Sequence, residues 1–146
     1  MDFKRLARAA VVAWVVDAIY GVAVWMNMMG PEYARHVGVF RPEADMNASL
    51  PLVFAGVFLA MFVLTYMYAK GYEGGGGVQE GFRFGLLLAL FTFGFVSLPI
   101  YATFNIDGRL GVLASILSFI EMLIVGTVIG VMYKPAQPKA VRQAGV

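Results

Sequence analysis

The chain has no cysteine. Disulfides, thiolate metal sites and thiol catalysis are therefore excluded. It has one histidine, His36, so a bis-histidine haem within one chain is excluded as well. Charge is scarce: 14% of residues are charged, against about 25% in soluble domains. The formal net charge of +2 comes without a basic stripe, which argues against nucleic acid as a partner.

What is present is apolar, 60% of the residues, gathered into long runs between short charged segments. Four runs meet the roughly 20 mostly apolar residues needed to cross a bilayer. They cover about 6–29, 49–70, 81–104 and 109–133, followed by a polar tail, 134–146, expected to be mobile. A backbone in lipid must satisfy its own hydrogen bonds, so each run reads as a helix. The expected fold is all-α: a four-helix transmembrane bundle of up-down topology, one membrane domain over 1–146. Lys4, Arg5 and Arg8 before the first run imitate a signal peptide, but Asp17 interrupts the apolar stretch, and retention as a membrane helix is expected. Eight lysines and arginines fall on the side of the termini and the middle loop, and three (Arg35, Arg41, Arg109) on the other. That bias places both termini in the cytoplasm.

Local signals refine these boundaries. Gly30 and Pro31 are expected to end the first helix and start a short one over PEYARHV, with Tyr33, Val37 and Phe40 on the outer interface. Ser49 reads as the N-cap of the second helix, with Pro51 in its first turn. Pro99 is expected to kink the third near Val96 to Leu98; such a kink can open an outer cavity lined by Tyr101, Trp25 and Phe95, but more often it only shapes the helix. The loop GYEGGGGVQE lacks the Gly-Lys-Ser/Thr of a phosphate loop and reads as a flexible linker. Small residues at four-residue spacing (Ala9, Ala13, Asp17 and Gly21; Gly81, Gly85 and Ala89; Gly126 and Gly130) suit close packing within the bundle. Methionines 26, 28, 29 and 46 with His36 have the softness for Cu(I). The first three spread around the helix, so no metal site is assigned.

The informative charges are Asp17 and Glu121, each near the middle of an apolar run. A charged side chain at the bilayer centre costs about 2.5–3.5 kcal/mol on insertion scales, so such groups face protein or water. Counted from the cytoplasmic ends of their helices, both lie roughly 17 Å deep at 1.5 Å per residue. If the first and fourth helices are neighbours, the carboxyls meet. Two like charges in a low dielectric cannot both ionise cheaply, so at least one is expected to hold a proton at neutral pH. The polar candidates beside them are Ser118, Tyr20 and Thr92. These five residues make a candidate proton or ligand site, or else interhelix glue. Arg109 is expected to snorkel to the headgroups.

Ala18-Ile-Tyr-Gly-Val-Ala-Val-Trp-Met26, a small-residue helix with an aromatic–Gly pair followed shortly by tryptophan, resembles the first-helix signature of a family of uncharacterised bacterial four-helix integral membrane proteins. The half from Gly85 through Phe104-Asn105 and Gly108-Arg109 to Gly130 is similar too. The resemblance implies the four-helix fold in a bacterial inner membrane and supplies no activity, substrate or catalytic residue.

The function expected from the sequence is that of a non-enzymatic polytopic membrane protein without a cofactor. It would be an accessory subunit or a small ligand-binding bundle organised around Asp17 and Glu121. Its partners would be the lipid bilayer and other membrane subunits, or further copies of itself. The alternative is a proton-coupled transporter of a small solute working as a homo-oligomer. No metal triad or nucleophile–base pair supports an enzyme.

Overall fold

A computed structural model describes residues 2–36 and 38–133. The described chain is all-α, with four helices each long and apolar enough to cross a membrane: α1 Phe3–Arg35, α2 Glu43–Gly71, α3 Gly77–Thr103 and α4 Gly108–Met132. Leu6, Tyr68, Phe84 and Tyr133 meet at one end of the bundle. Met29, Phe40, Ile106 and Leu110 meet at the other, so successive helices run in opposite directions. In cross-section the order is α2, α1, α4, α3. The outer two touch through Tyr68 and Phe84, whose ring centroids are 5.3 Å apart.

The α3–α4 seam is built from glycine. A Cβ placed on Gly81 would lie 2.6 Å from the Gly126 carbonyl oxygen, and one on Gly85 would lie 2.7 Å from that of Met122. Gly126 and Gly130 are closed against Gly85 and Gly77 in the same way. The small-residue spacing on these two helices thus serves packing within the chain. The α1 seam uses alanine instead: Ala9, Ala10 and Ala13 are fully buried. Gly21, next on that stripe, has open space where a Cβ would go.

Several boundaries differ from the sequence reading. Gly30 and Pro31 do not end α1, which continues to Arg35. Proline's fixed φ is compatible with a helix, and the lost N–H is offset by what the extension brings in, the buried Glu32 held in ion pairs. The Tyr33 and Phe40 rings lie 4.4 Å apart, tilted by 39°, and pack against the cluster of Met29, Leu110 and Leu117. Val37 lies outside the described residues, as does the tail 134–146. Helix α2 starts six residues before Ser49, after Pro42, with Glu43 and Asp45 in a first turn whose free N–H groups favour negative charge. The Ser49 hydroxyl donates to the Asp45 carbonyl at 2.8 Å instead of capping.

The glycine loop is shorter than expected, because α3 starts at Gly77 and takes in Val78, Gln79 and Glu80. Glu80 folds back to accept from the Glu73 amide at 2.9 Å, and the Tyr72 hydroxyl donates to the Gly75 carbonyl at 3.0 Å. A carboxylate therefore occupies an amide that a phosphate would need.

Both α1 and α3 contain a π-helical stretch, Gly21–Met26 and Phe93–Ser97. The second stands just before Pro99, where the sequence predicts a kink. Proline offers no N–H to the Phe95 carbonyl and crowds it, and the widened turn relieves both. Among the described residues, the three side chains named with that kink do not gather round one space. Phe95 is 70% exposed and stacks on Phe91, Tyr101 lies against Gly111, and Trp25 faces Glu121.

Candidate functional site

Asp17 lies on the alanine face of α1, 7% exposed, opposite Glu121 of α4. Their carboxyl groups are hydrogen-bonding neighbours. The adjacency follows from α1 and α4 sharing a seam on which Leu117, Val125 and Ile129 of α4 are buried. Glu121 continues that stripe by four-residue steps between Leu117 and Val125, so it faces α1 by periodicity alone.

Two aromatic side chains complete the arrangement. Trp25 donates its indole N–H to Glu121 Oε2 at 3.0 Å. The Tyr20 hydroxyl donates to the Leu117 carbonyl at 2.9 Å, one turn before Glu121 on α4. Trp25 was not among the residues expected near the carboxyls, and the π stretch is the reason. At about 100° per residue, the eight residues from Asp17 would turn Trp25 roughly 80° off the carboxyl face. A π turn takes up one extra residue, which brings it back to within about 20°. The Asn27 side chain steadies the widened turn by donating to the Val22 and Ala23 carbonyls at 3.2 and 3.0 Å.

Of the five expected residues, the structure brings Asp17 and Glu121 together and sets Tyr20 beside them on the Leu117 carbonyl. Ser118 and Thr92 are partly buried, and among the described residues no hydrogen bond joins either to a carboxyl. Ser118 is one residue past the buried stripe of α4. Thr92 belongs to α3, whose glycine seam binds the other side of α4. Met29 is fully buried, whereas Met26 and Met28 are exposed, so these methionines do not converge.

A second polar group, missed in the sequence, closes the far end of the α1–α4 seam. Glu32 is 4% exposed, and its Oε1 is 3.1 Å from both Arg35 and Arg109. Arg109, expected to snorkel to the headgroups, also makes an ion pair with α1 while its side chain stays 68% exposed. His36 adds a third tie: its Nδ1 is 2.9 Å from the Glu32 carbonyl and its Nε2 is 3.6 Å from Asp107. Asp107 in turn caps α4 by accepting from the Leu110 amide at 2.7 Å. The sequence signal for this group was only that Glu32 and Arg109 are the charges nearest the ends of two runs that prove to be neighbours.

In comparison with known proteins, no family model matches the chain, and no curated protein or solved structure matches it.

Proposed function

We propose that this chain is a non-enzymatic integral membrane protein of the bacterial inner membrane, with both termini cytoplasmic. In this reading the Asp17–Glu121 pair, midway through the α1–α4 seam, is a proton-holding site at the polar centre of a small ligand-binding or accessory bundle. The observation that carries the reading is the meeting of two carboxyl groups, one of which accepts from the Trp25 indole. A hydrogen bond between two carboxyl groups needs a proton on one of them, so the geometry suits one shared proton. A pair that gains and loses that proton would change the hydrogen bond that Glu121 accepts from Trp25.

Trp25 is itself the probe. In a Trp14→Phe background it is the sole tryptophan. Its emission in lipid nanodiscs is expected to change with pH as the pair titrates, and to become pH-independent in Glu121→Gln. Carboxyl infrared bands provide the parallel readout, with the protonated C=O band weakened in both Asp17→Asn and Glu121→Gln. An emission profile that is flat in the parent protein, with no protonated band near neutral pH, would reduce the pair to interhelix glue.

A further inference from the structure

We infer that Arg35 and Arg109, cross-linked on the buried Glu32, form a phosphate-binding clamp at the end of the bundle opposite Leu6 and Tyr133. Its ligand in the membrane is the phosphodiester of an anionic lipid headgroup.

The argument begins with the carboxylate. Glu32 is almost fully buried, so its position is set by the seam and not by solvent. Both guanidinium groups reach the same oxygen at 3.1 Å, so the two contacting nitrogens are no more than about 6 Å apart. Arg35 also reaches Oε2, at 3.3 Å. Their side chains are nevertheless 61% and 68% exposed, so each fork keeps outward N–H donors. Two forks held side by side, with donors facing away from the anchor, suit an oxyanion that accepts from both.

Charge points the same way. Taken alone, Glu32, Arg35 and Arg109 carry more positive than negative charge, and among the described residues Asp107, which accepts from the Leu110 amide and lies 3.6 Å from His36, makes no ion pair with either arginine. An ion pair meant only to join α1 to α4 needs a single arginine. The second, Arg35, is on the same helix as Glu32 and adds no link between helices. Its contribution is a second fork at the same place. The clamp also stands where apolar α1 and α4 end, the depth at which lipid phosphates lie, and guanidinium forks match the oxygens of a phosphate group. This last step rests on the membrane reading given above.

The test is native mass spectrometry of the full chain, released from nanodiscs, with phosphatidylglycerol and phosphatidylcholine at matched concentrations. Retention of one phosphatidylglycerol in clear excess over phosphatidylcholine is expected, with a loss of about tenfold or more in Arg35→Gln/Arg109→Gln. Arg35→Gln alone leaves the Glu32–Arg109 link intact, so it tests the clamp even if the double variant does not fold; a several-fold loss is expected there. Displacement of the lipid by millimolar inorganic phosphate would assign the site to free phosphate as well, and no displacement would reserve it for lipid. Equal retention by the parent and Arg35→Gln, or no preference for phosphatidylglycerol, overturns the inference. Recovery of the chain from the soluble fraction would instead sink the membrane reading, and phosphate binding by the parent against Arg35→Gln would still decide the clamp.

Discussion

Asp17 illustrates how far single residues can be read from sequence. Its depth, and that of Glu121, followed from counting residues along two apolar runs, and the two side chains do meet. Their companions could not be counted in this way. Ser118 and Thr92 were nominated by nearness in sequence or depth, while Trp25 reaches Glu121 only through a backbone irregularity and Tyr20 through a carbonyl on α4. Substitution should separate these roles. Asp17→Asn is expected to fold with little loss, because an amide can replace a protonated carboxyl as both donor and acceptor. Asp17→Ala strands Glu121 in a buried seam and is expected to cost about 1–3 kcal/mol. Thermal unfolding in a fixed detergent measures both, and equal losses for the two variants would argue against a hydrogen-bonded pair.

At the level of the helix, the apolar runs themselves were legible, because length and lack of charge suffice to mark them. The π stretches were not. Nothing in GVAVWM changes the hydrophobic period, since nearly every position is apolar whichever way it turns. A widened turn is one residue in excess of an α-helix, which gives a direct check. Deletion of the exposed Val22 is expected to convert Gly21–Met26 to ordinary α-helix and leave Trp25, Met29 and Glu32 on their present faces. Deletion of Val11, also exposed, turns Ala9 and Ala10 about 100° away from the seam. Stability close to the parent for the first deletion and a large loss for the second is the expected pattern; the reverse would contradict the register argument. The α3–α4 seam gives a separate expectation. Gly126→Ala drives a methyl into the Gly85 backbone and is expected to cost at least about 1–3 kcal/mol. Gly56→Ala, which meets nothing within 4 Å, should be close to neutral or slightly stabilising.

For the whole molecule, the number and alternating direction of the helices were legible, and their cross-sectional order was not. Apolar runs do not state which neighbour they prefer once all are apolar; the choice is made by where alanine, glycine and the few polar side chains are placed. Orientation rests on the eight-to-three distribution of lysine and arginine. It is open to a direct measurement, because the chain has no cysteine of its own. Ala44→Cys, before the apolar part of α2, is expected to react with an impermeant thiol reagent on intact cells. Gln79→Cys, near the start of α3, is expected to react only after permeabilisation. Labelling of 79 but not 44 on intact cells would invert the topology.

The contact between the first and last helices also has a consequence in time. Glu121 leaves the ribosome about 100 residues after Asp17, an interval on the order of 5–20 s at about 5–20 residues per second. For most of that interval α1 carries a carboxyl, an indole donor and Glu32 whose partners on α4 have not yet been made. With the chain read as a membrane protein, α1 is inserted first and settled last. Whatever shelters it in the meantime, whether the insertion machinery or an attendant membrane protein, must tolerate an apolar helix whose few polar groups still wait for their mates. A chain truncated before α4 should therefore remain with that machinery rather than disperse into lipid.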